Sequence, residues 1–182
     1  IPYTTVVNLV NVFVVYTVGV YFYSRGSYDA KTSALNIMKL PILWAAIIAI
    51  SLSVYGYRPS GIILNTLMMG AYASMTMQLF LFGIYLYGTK IQELNKKLIS
   101  WIVGFKFLIL PFLAFIILYN LEMDRLIKGI VFIELIMPLA VANVNLASLY
   151  DCKPKVVTAL VMITSILFLG IIFVGIKLLD YL

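Results

Sequence analysis

Charged and titratable side chains are scarce in this chain of 182 residues. Asp, Glu, Lys and Arg together make up 11% of it, histidine is absent, and Cys152 is the one cysteine. The absence of histidine excludes imidazole metal sites and the Ser-His and Cys-His pairs of many hydrolases. A single cysteine cannot form an internal disulfide. We therefore expect no metal, no cofactor and no enzyme activity.

Apolar residues, by contrast, make up 64% of the chain, and the mean hydropathy is +1.08. A soluble domain carries about 25% charged residues, so this composition is typical of an integral membrane protein. Because a membrane-crossing helix needs about 20 apolar residues, we predict an all-α transmembrane bundle of six helices. The predicted helices cover residues 3–23, 40–55, 60–88, 98–119, 126–150 and 156–179.

The second predicted helix is short, and we expect it to recruit the amphipathic stretch that begins at Ala30. Pro41 lies between the two parts. Because neighbouring helices in a bundle can satisfy the carbonyl group that a proline frees, we expect Pro41 to kink this helix rather than end it.

The loops differ in positive charge. Those that join helices 1 and 2, 3 and 4, and 5 and 6 hold eight cations: Arg25, Lys31, Lys39, Lys90, Lys96, Lys97, Lys153 and Lys155. The opposite side holds four: Arg58, Arg125, Lys128 and Lys177. The positive-inside rule places the first set in the cytoplasm and the C-terminus outside the cell. We attribute the net charge of +6 to this topology in the plasma membrane, with lipids rather than nucleic acid as partners.

The fifth predicted helix contains the stretch ELIMPLAVANVNLASLY, residues 134–150. Pro138 has no amide hydrogen for the carbonyl of Glu134, and Asn143 and Asn145 are poor helix formers. We predict that the helix breaks between Met137 and Asn143. Non-helical backbone is tolerated at membrane depth only where it is buried in protein or lines a wet cavity.

Two interpretations of this stretch remain open on the local sequence. In the first, the amides at the start of the second half-helix attract an anion, while the end of the first half-helix, with Glu134, suits a cation or a proton. In the second, the proline only kinks the helix and the asparagines bond to neighbouring helices.

Four stretches resemble, in order and spacing, helices of the auxin efflux carrier family. Residues 11–24 resemble its fifth helix, residues 40–56 its sixth, residues 75–86 its seventh and residues 137–179 its last two. Met77 and Gln78 depart from the proline-leucine pair that is commonest in the seventh helix.

The resemblance implies a ten-helix carrier made of two inverted repeats, each with a broken crossover helix. Residues 1–29 would then be the last helix of the first repeat and a cytoplasmic loop, and residues 30–182 the five-helix second repeat. The implied function is secondary active transport of a small organic anion such as a carboxylate. We expect substrate binding at Pro138, Leu139, Ala140, Val141, Asn143, Asn145 and Gln78, and ion or proton coupling at Glu134.

Three polar side chains in predicted helices allow a second interpretation. Glu134 could be a paired structural glutamate, and Gln78 could hydrogen-bond to a neighbouring helix. For Lys106 we favour a side chain that extends to the cytoplasmic interface over one that pairs with Glu134 or attracts substrate.

Other functions compete with an anion carrier. In the related bile acid sodium symporters, a glutamate at a similar point binds sodium with a glutamine four residues later, where this chain has Pro138. A structural or assembly subunit without a cavity is a second alternative, and a homodimer remains open. Intramembrane aspartyl proteolysis does not fit, because every aspartate falls in a predicted loop or at the end: Asp29, Asp124, Asp151 and Asp180.

Overall fold

The computed structural model describes residues 3–90 and 95–179. Over these two ranges it contains eight helices and no strand, as the predicted all-α class requires. The helices are α1 (Tyr3–Arg25), α2 (Ala30–Met38), α3 (Pro41–Val54), α4 (Gly61–Tyr87), α5 (Lys96–Asn120), α6 (Arg125–Ile136), α7 (Ala142–Leu149) and α8 (Pro154–Leu178). Asp180, which the sequence analysis placed at the end of the chain, lies outside the described residues.

Helices α1, α4, α5 and α8 are each long and apolar enough to cross a membrane, and the α2–α3 pair makes a fifth candidate span. The protein is therefore a multi-pass membrane protein. Helices α6 and α7 have 12 and 8 residues, so each is too short to cross the apolar core alone. The count of six spans stays a prediction that requires α6 and α7 to cross together.

The α2–α3 junction corrects the expectation for Pro41. Helix α2 ends at Met38, α3 begins at Pro41, and the two axes differ by 46°. Leu40 adopts an extended conformation with ψ 118°, since a residue before proline is disfavoured in the helical region. Pro41 then occupies a first-turn position, where its missing amide costs nothing. The proline ends one helix and starts the next.

Two of the long helices contain a wide π-helical turn, at Val15–Gly19 in α1 and at Phe105–Ile109 in α5. In α5 a cause is visible in the sequence. Pro111 has no amide to give to the carbonyl of Phe107, so the regular spacing of hydrogen bonds fails just before it. Turns of this kind are frequent at functional sites, and this one carries Lys106.

Helices α5, α6 and α8 share a core built on Ala114, Leu118, Phe132 and Ile136. Close approach is possible because Gly175 of α8 lies against the Ile136 side chain, where a Cβ atom would collide with it. Lipid is as apolar as these side chains, so tight packing rather than removal from water holds such helices together.

A second core joins α1 to the end of α7 through Val20, Leu146 and Tyr150. Nearby, the thiol of Cys152 donates to the carbonyl of Tyr23 at 3.0 Å, and the hydroxyl of Ser27 donates to the carbonyl of Tyr150 at 3.1 Å. The loop after α1 and the loop after α7, both predicted to be cytoplasmic, therefore lie at the same end of the bundle.

Candidate functional site

The predicted break in the fifth segment is present and separates α6 from α7. Helix α6 ends at Ile136, Met137 is extended with φ −56° and ψ 151°, and α7 begins at Ala142. Pro138 explains the position of the break, because it disfavours a helical Met137 and supplies no amide for the Glu134 carbonyl. We call residues 137–141 the interruption.

Two backbone groups, one at the end of α6 and one within the interruption, are satisfied by side chains of other helices. In an unbroken helix the carbonyl of Leu135 would accept from the amide of Leu139. Instead, the Lys106 ammonium of α5 donates to the Leu135 carbonyl at 3.0 Å. The Leu139 amide donates to the Thr164 hydroxyl of α8 at 3.2 Å, and Thr164 is fully buried.

Lys106 is therefore directed into the protein, and the interpretation in which it extends to the cytoplasmic interface is wrong. Its hydrogen-bond partner is the main-chain carbonyl next to Glu134. The C-terminal end of a helix carries a partial negative charge of about half an elementary charge, so an ammonium group at the end of α6 is electrostatically favourable.

The first turn of α7 leaves backbone amides open. Asn143 and Val144 donate to the carbonyls of Ala140 and Val141 at 3.0 and 2.9 Å. In the part of the chain that the structure describes, no hydrogen bond involves the amides of Ala140, Val141 or Ala142. Open amides at a helix N-terminus, together with the positive end of the helix dipole, favour an anion.

A cavity of about 470 Å³ borders the interruption. It is lined by α1, α5, α6 and the interruption through Thr4, Asn8, Asn11, Val15, Lys106, Ile130, Ile133, Glu134, Met137, Pro138, Leu139, Ala140 and Asn143. Its volume lies in the range of small-molecule sites, about 300–1,000 Å³. Within the described ranges, no three His, Cys, Asp or Glu side chains come close enough together to hold a metal ion.

Five of the eight residues singled out from the sequence line this cavity: Glu134, Pro138, Leu139, Ala140 and Asn143. Val141 belongs to the interruption but is not among the lining residues. Asn145 points elsewhere, and its side-chain oxygen is buried with no hydrogen-bond partner among the described residues. Gln78 lies on α4, away from this cavity, and is half-buried.

The contribution of α1 to the cavity was not predicted from the sequence. Thr4, Asn8 and Asn11 line the cavity at intervals of four and three residues, which places them on one face of the helix. This spacing of polar side chains in an otherwise apolar segment was a usable signal. Thr164 was missed as well, because a threonine inside a membrane helix usually bonds to its own helix, as this one also does.

Helix α7 is attached to two neighbouring helices by side-chain hydrogen bonds. The Tyr23 hydroxyl of α1 donates to the Asn143 side-chain oxygen at 3.5 Å. The hydroxyls of Tyr85 of α4 and Ser148 of α7 share a hydrogen bond of 2.8 Å. The position of α7, and with it the position of the open amides, is thus set from both sides.

Comparison with known proteins agrees with this architecture. The family described as membrane transport protein matches residues 30–176, which cover α2 to α7 and all but the last two residues of α8. No curated protein and no solved structure gives a significant match. The match covers most of the chain, so this protein belongs to the membrane transport protein family, that of the auxin efflux carriers.

Proposed function

We propose that this protein is a secondary transporter of a small organic anion, such as a carboxylate, and that the anion binds at the interruption between α6 and α7. The observation that carries the proposal is the run of open amides at Ala140, Val141 and Ala142, of which Ala140 lines the cavity. Main-chain groups left open inside a membrane protein are costly unless a ligand or water completes them.

The charges around the cavity suit a bound anion. The start of α7 contributes the positive end of its dipole, and Lys106, which also lines the cavity, places a positive charge at the end of α6. Glu134 contributes a negative charge on the α6 side. An anion would therefore be held nearer to α7, with the carboxylate of Glu134 left for a proton or a cation.

Neutral polar groups complete the proposed site. Asn143 of α7 and Thr4, Asn8 and Asn11 of α1 offer hydrogen-bond donors and acceptors around the same space. The substrate that fits them has a carboxylate for the α7 amides and at least one neutral polar group for the α1 face. Apolar walls from Ile130 and Ile133 leave room for a hydrocarbon body between the two.

The competing functions make different use of the same cavity. A sodium-coupled symporter would bind sodium near Glu134, and Glu134 does line the cavity. A structural subunit would be favoured by a continuous helix packed without a cavity, whereas α6 and α7 are separated by the interruption. The anion carrier accounts for the open amides, which neither alternative uses.

The remaining expectations belong to this proposal. They are a plasma-membrane location with the C-terminus outside, a second repeat formed by residues 30–182, and movement of the α6–α7 crossover against a scaffold that includes α4. Gln78 would contact substrate from α4 only when that movement brings the two closer, since it lies away from the cavity here.

The experiment that tests the proposal compares transport by the full-length natural protein and its variants in proteoliposomes. Uptake of radiolabelled benzoate, citrate and an arylacetate is measured with Pro138→Ala and Asn143→Ala. The matched controls are Pro154→Ala, at the first turn of α8, and Asn65→Ala, exposed on α4. We expect the two site variants to lose at least about 90% of uptake, as tenfold is the effect of 1.4 kcal/mol. Full uptake by both site variants would show that the interruption does not take part in transport.

A further inference from the structure

Lys106 occupies the place where the sequence analysis expected a cation. The carbonyl groups in the last turn of α6 have no helical partners. The Glu134 carbonyl is one of them, because Pro138 has no amide hydrogen to donate to it. Broken-helix carriers bind sodium ions or protons at half-helix ends of this kind. Here the ammonium group that reaches the end of α6 is part of the protein, at 3.0 Å from the Leu135 carbonyl.

We propose that the Lys106 ammonium is a tethered cation that fills the cation position at the end of α6, so that transport needs no dissolved sodium ion. This inference rests on the proposed function and assigns the role of a coupling cation to the Lys106 side chain.

The position of Lys106 along α5 supports this role. Lys96 and Lys97 lie at the exposed start of α5, where water solvates them. Lys106 lies one residue inside the π-helical turn, is half-buried, and lines the same cavity as Glu134. A lysine at this depth is costly unless its charge is compensated, and the negative end of the α6 dipole, through the Leu135 carbonyl, supplies that compensation.

Loss of the ammonium group should create a site for a free cation. Without it, the Leu135 carbonyl at the open end of α6 loses its positively charged partner, in a cavity that Glu134 also lines. Oxygen atoms in this arrangement suit a small monovalent cation such as sodium or methylammonium. A carrier that is indifferent to sodium should therefore become dependent on it.

The test uses the full-length protein with sodium chloride or N-methyl-D-glucamine chloride on both sides of the membrane. The variants are Lys106→Met, Lys106→Gln, which keeps a hydrogen-bond donor without the charge, and Lys106→Arg, which keeps the charge. Lys97→Met on the same helix is the control. Uptake of the labelled carboxylates and the melting temperature in detergent are both measured, the latter also with methylammonium chloride.

We expect the wild type and Lys97→Met to transport equally fast in both salts. Lys106→Arg keeps the positive charge, so its rate, whatever its size, should not depend on sodium. In sodium-free buffer, Lys106→Met and Lys106→Gln should transport at least about tenfold more slowly, the order of effect of one lost charged hydrogen bond. Sodium or methylammonium should restore their transport and raise their melting temperature.

Three results would overturn the inference: a wild type that requires sodium, neutral variants that transport at the wild-type rate without sodium, or neutral variants that respond to neither cation in either measurement. Failure of the proposed function gives a different result. The wild type would then move no anion in either salt, but sodium or methylammonium would still raise the melting temperature of Lys106→Met and Lys106→Gln.

Discussion

The Lys106 ammonium lies 3.0 Å from the carbonyl oxygen of Leu135, so a side chain of α5 bonds to a backbone group that α6 leaves open. Within the interruption, the Leu139 amide bonds to the Thr164 hydroxyl of α8. One hydrogen bond of a continuous helix has thus been replaced by two bonds to separate helices. The interruption is therefore held open by its neighbours as well as started by Pro138.

Replacement of Thr164 by valine should destabilise the protein. Valine keeps the branched shape but removes the acceptor at the buried Thr164 position, so the half-buried Leu139 amide loses its partner. We expect the free energy of unfolding to fall by about 1–3 kcal/mol, the cost of an unsatisfied buried polar group. Chemical unfolding in detergent micelles measures the change.

Thr66→Val is the matched control for that substitution, because Thr66 is exposed on α4 and bonds only to the Ile62 carbonyl of its own helix. It should change stability by less than about 0.5 kcal/mol, as most surface substitutions do. Equal losses in the two variants would show that the Thr164 hydroxyl has no special role at the interruption.

The sequence was sufficient to predict features that depend on local chemistry. Pro138 predicted the interruption because a proline removes a donor and restricts the residue before it wherever it stands. At Pro41 we expected only a kink, although the same rule also allows a proline to end a helix, and α2 does end at Met38. There the expectation relied on neighbouring helices that would keep the chain helical, and the structure shows an extended Leu40 instead.

Features that depend on tertiary packing could not be predicted in the same way. Lys106 lies inside the π-helical turn at Phe105–Ile109, where side-chain directions differ from those of a regular helix. The hydrogen bond from the Leu139 amide to Thr164 joins the interruption to α8. A single sequence contains no signal for such a pairing, because the Thr164 hydroxyl could equally bond only within its own helix.

The polar face of α1 gives a prediction about substrate affinity. Asn8 and Asn11 line the cavity, so their replacement by alanine should remove hydrogen bonds to a neutral polar group of the substrate. We expect the KM for transport of the preferred carboxylate to rise by about fivefold or more for each variant, the effect of about 1 kcal/mol. The maximal rate should change little if these bonds persist throughout transport.

Asn65→Ala is again the control, since Asn65 is exposed on α4 and away from the cavity. Transport is measured over a range of substrate concentrations in proteoliposomes. An unchanged KM in both α1 variants would show that α1 lines the cavity without contacting the substrate.

The topology prediction can be checked with single cysteines in a Cys152→Ser background. The loop after α7 is predicted to be cytoplasmic and the loop between α3 and α4 extracellular, from the distribution of Lys and Arg. A membrane-impermeant thiol reagent should label Arg58→Cys in intact cells and Lys153→Cys only after permeabilisation. The opposite pattern would invert the proposed orientation, and with it the side from which the cavity is reached.

The contact between Tyr85 and Ser148 bears on how the carrier moves. Their hydroxyls share a hydrogen bond of 2.8 Å that joins α4 to α7 across the boundary proposed between scaffold and crossover. If α7 slides against α4 during transport, this bond exists in the state seen here and must break in the next. Its removal should therefore ease departure from this state and leave substrate contacts intact.

We expect Tyr85→Phe and Ser148→Ala each to raise the maximal rate by up to about fivefold, the effect of one ordinary hydrogen bond, with little change in KM. Because both variants remove the same bond, the double variant should resemble either single one. Tyr87→Phe serves as the control, since Tyr87 is 97% exposed at the end of α4. Additive effects in the double variant would mean that the two hydroxyls act separately. The proposal that α7 moves against α4 would then be wrong.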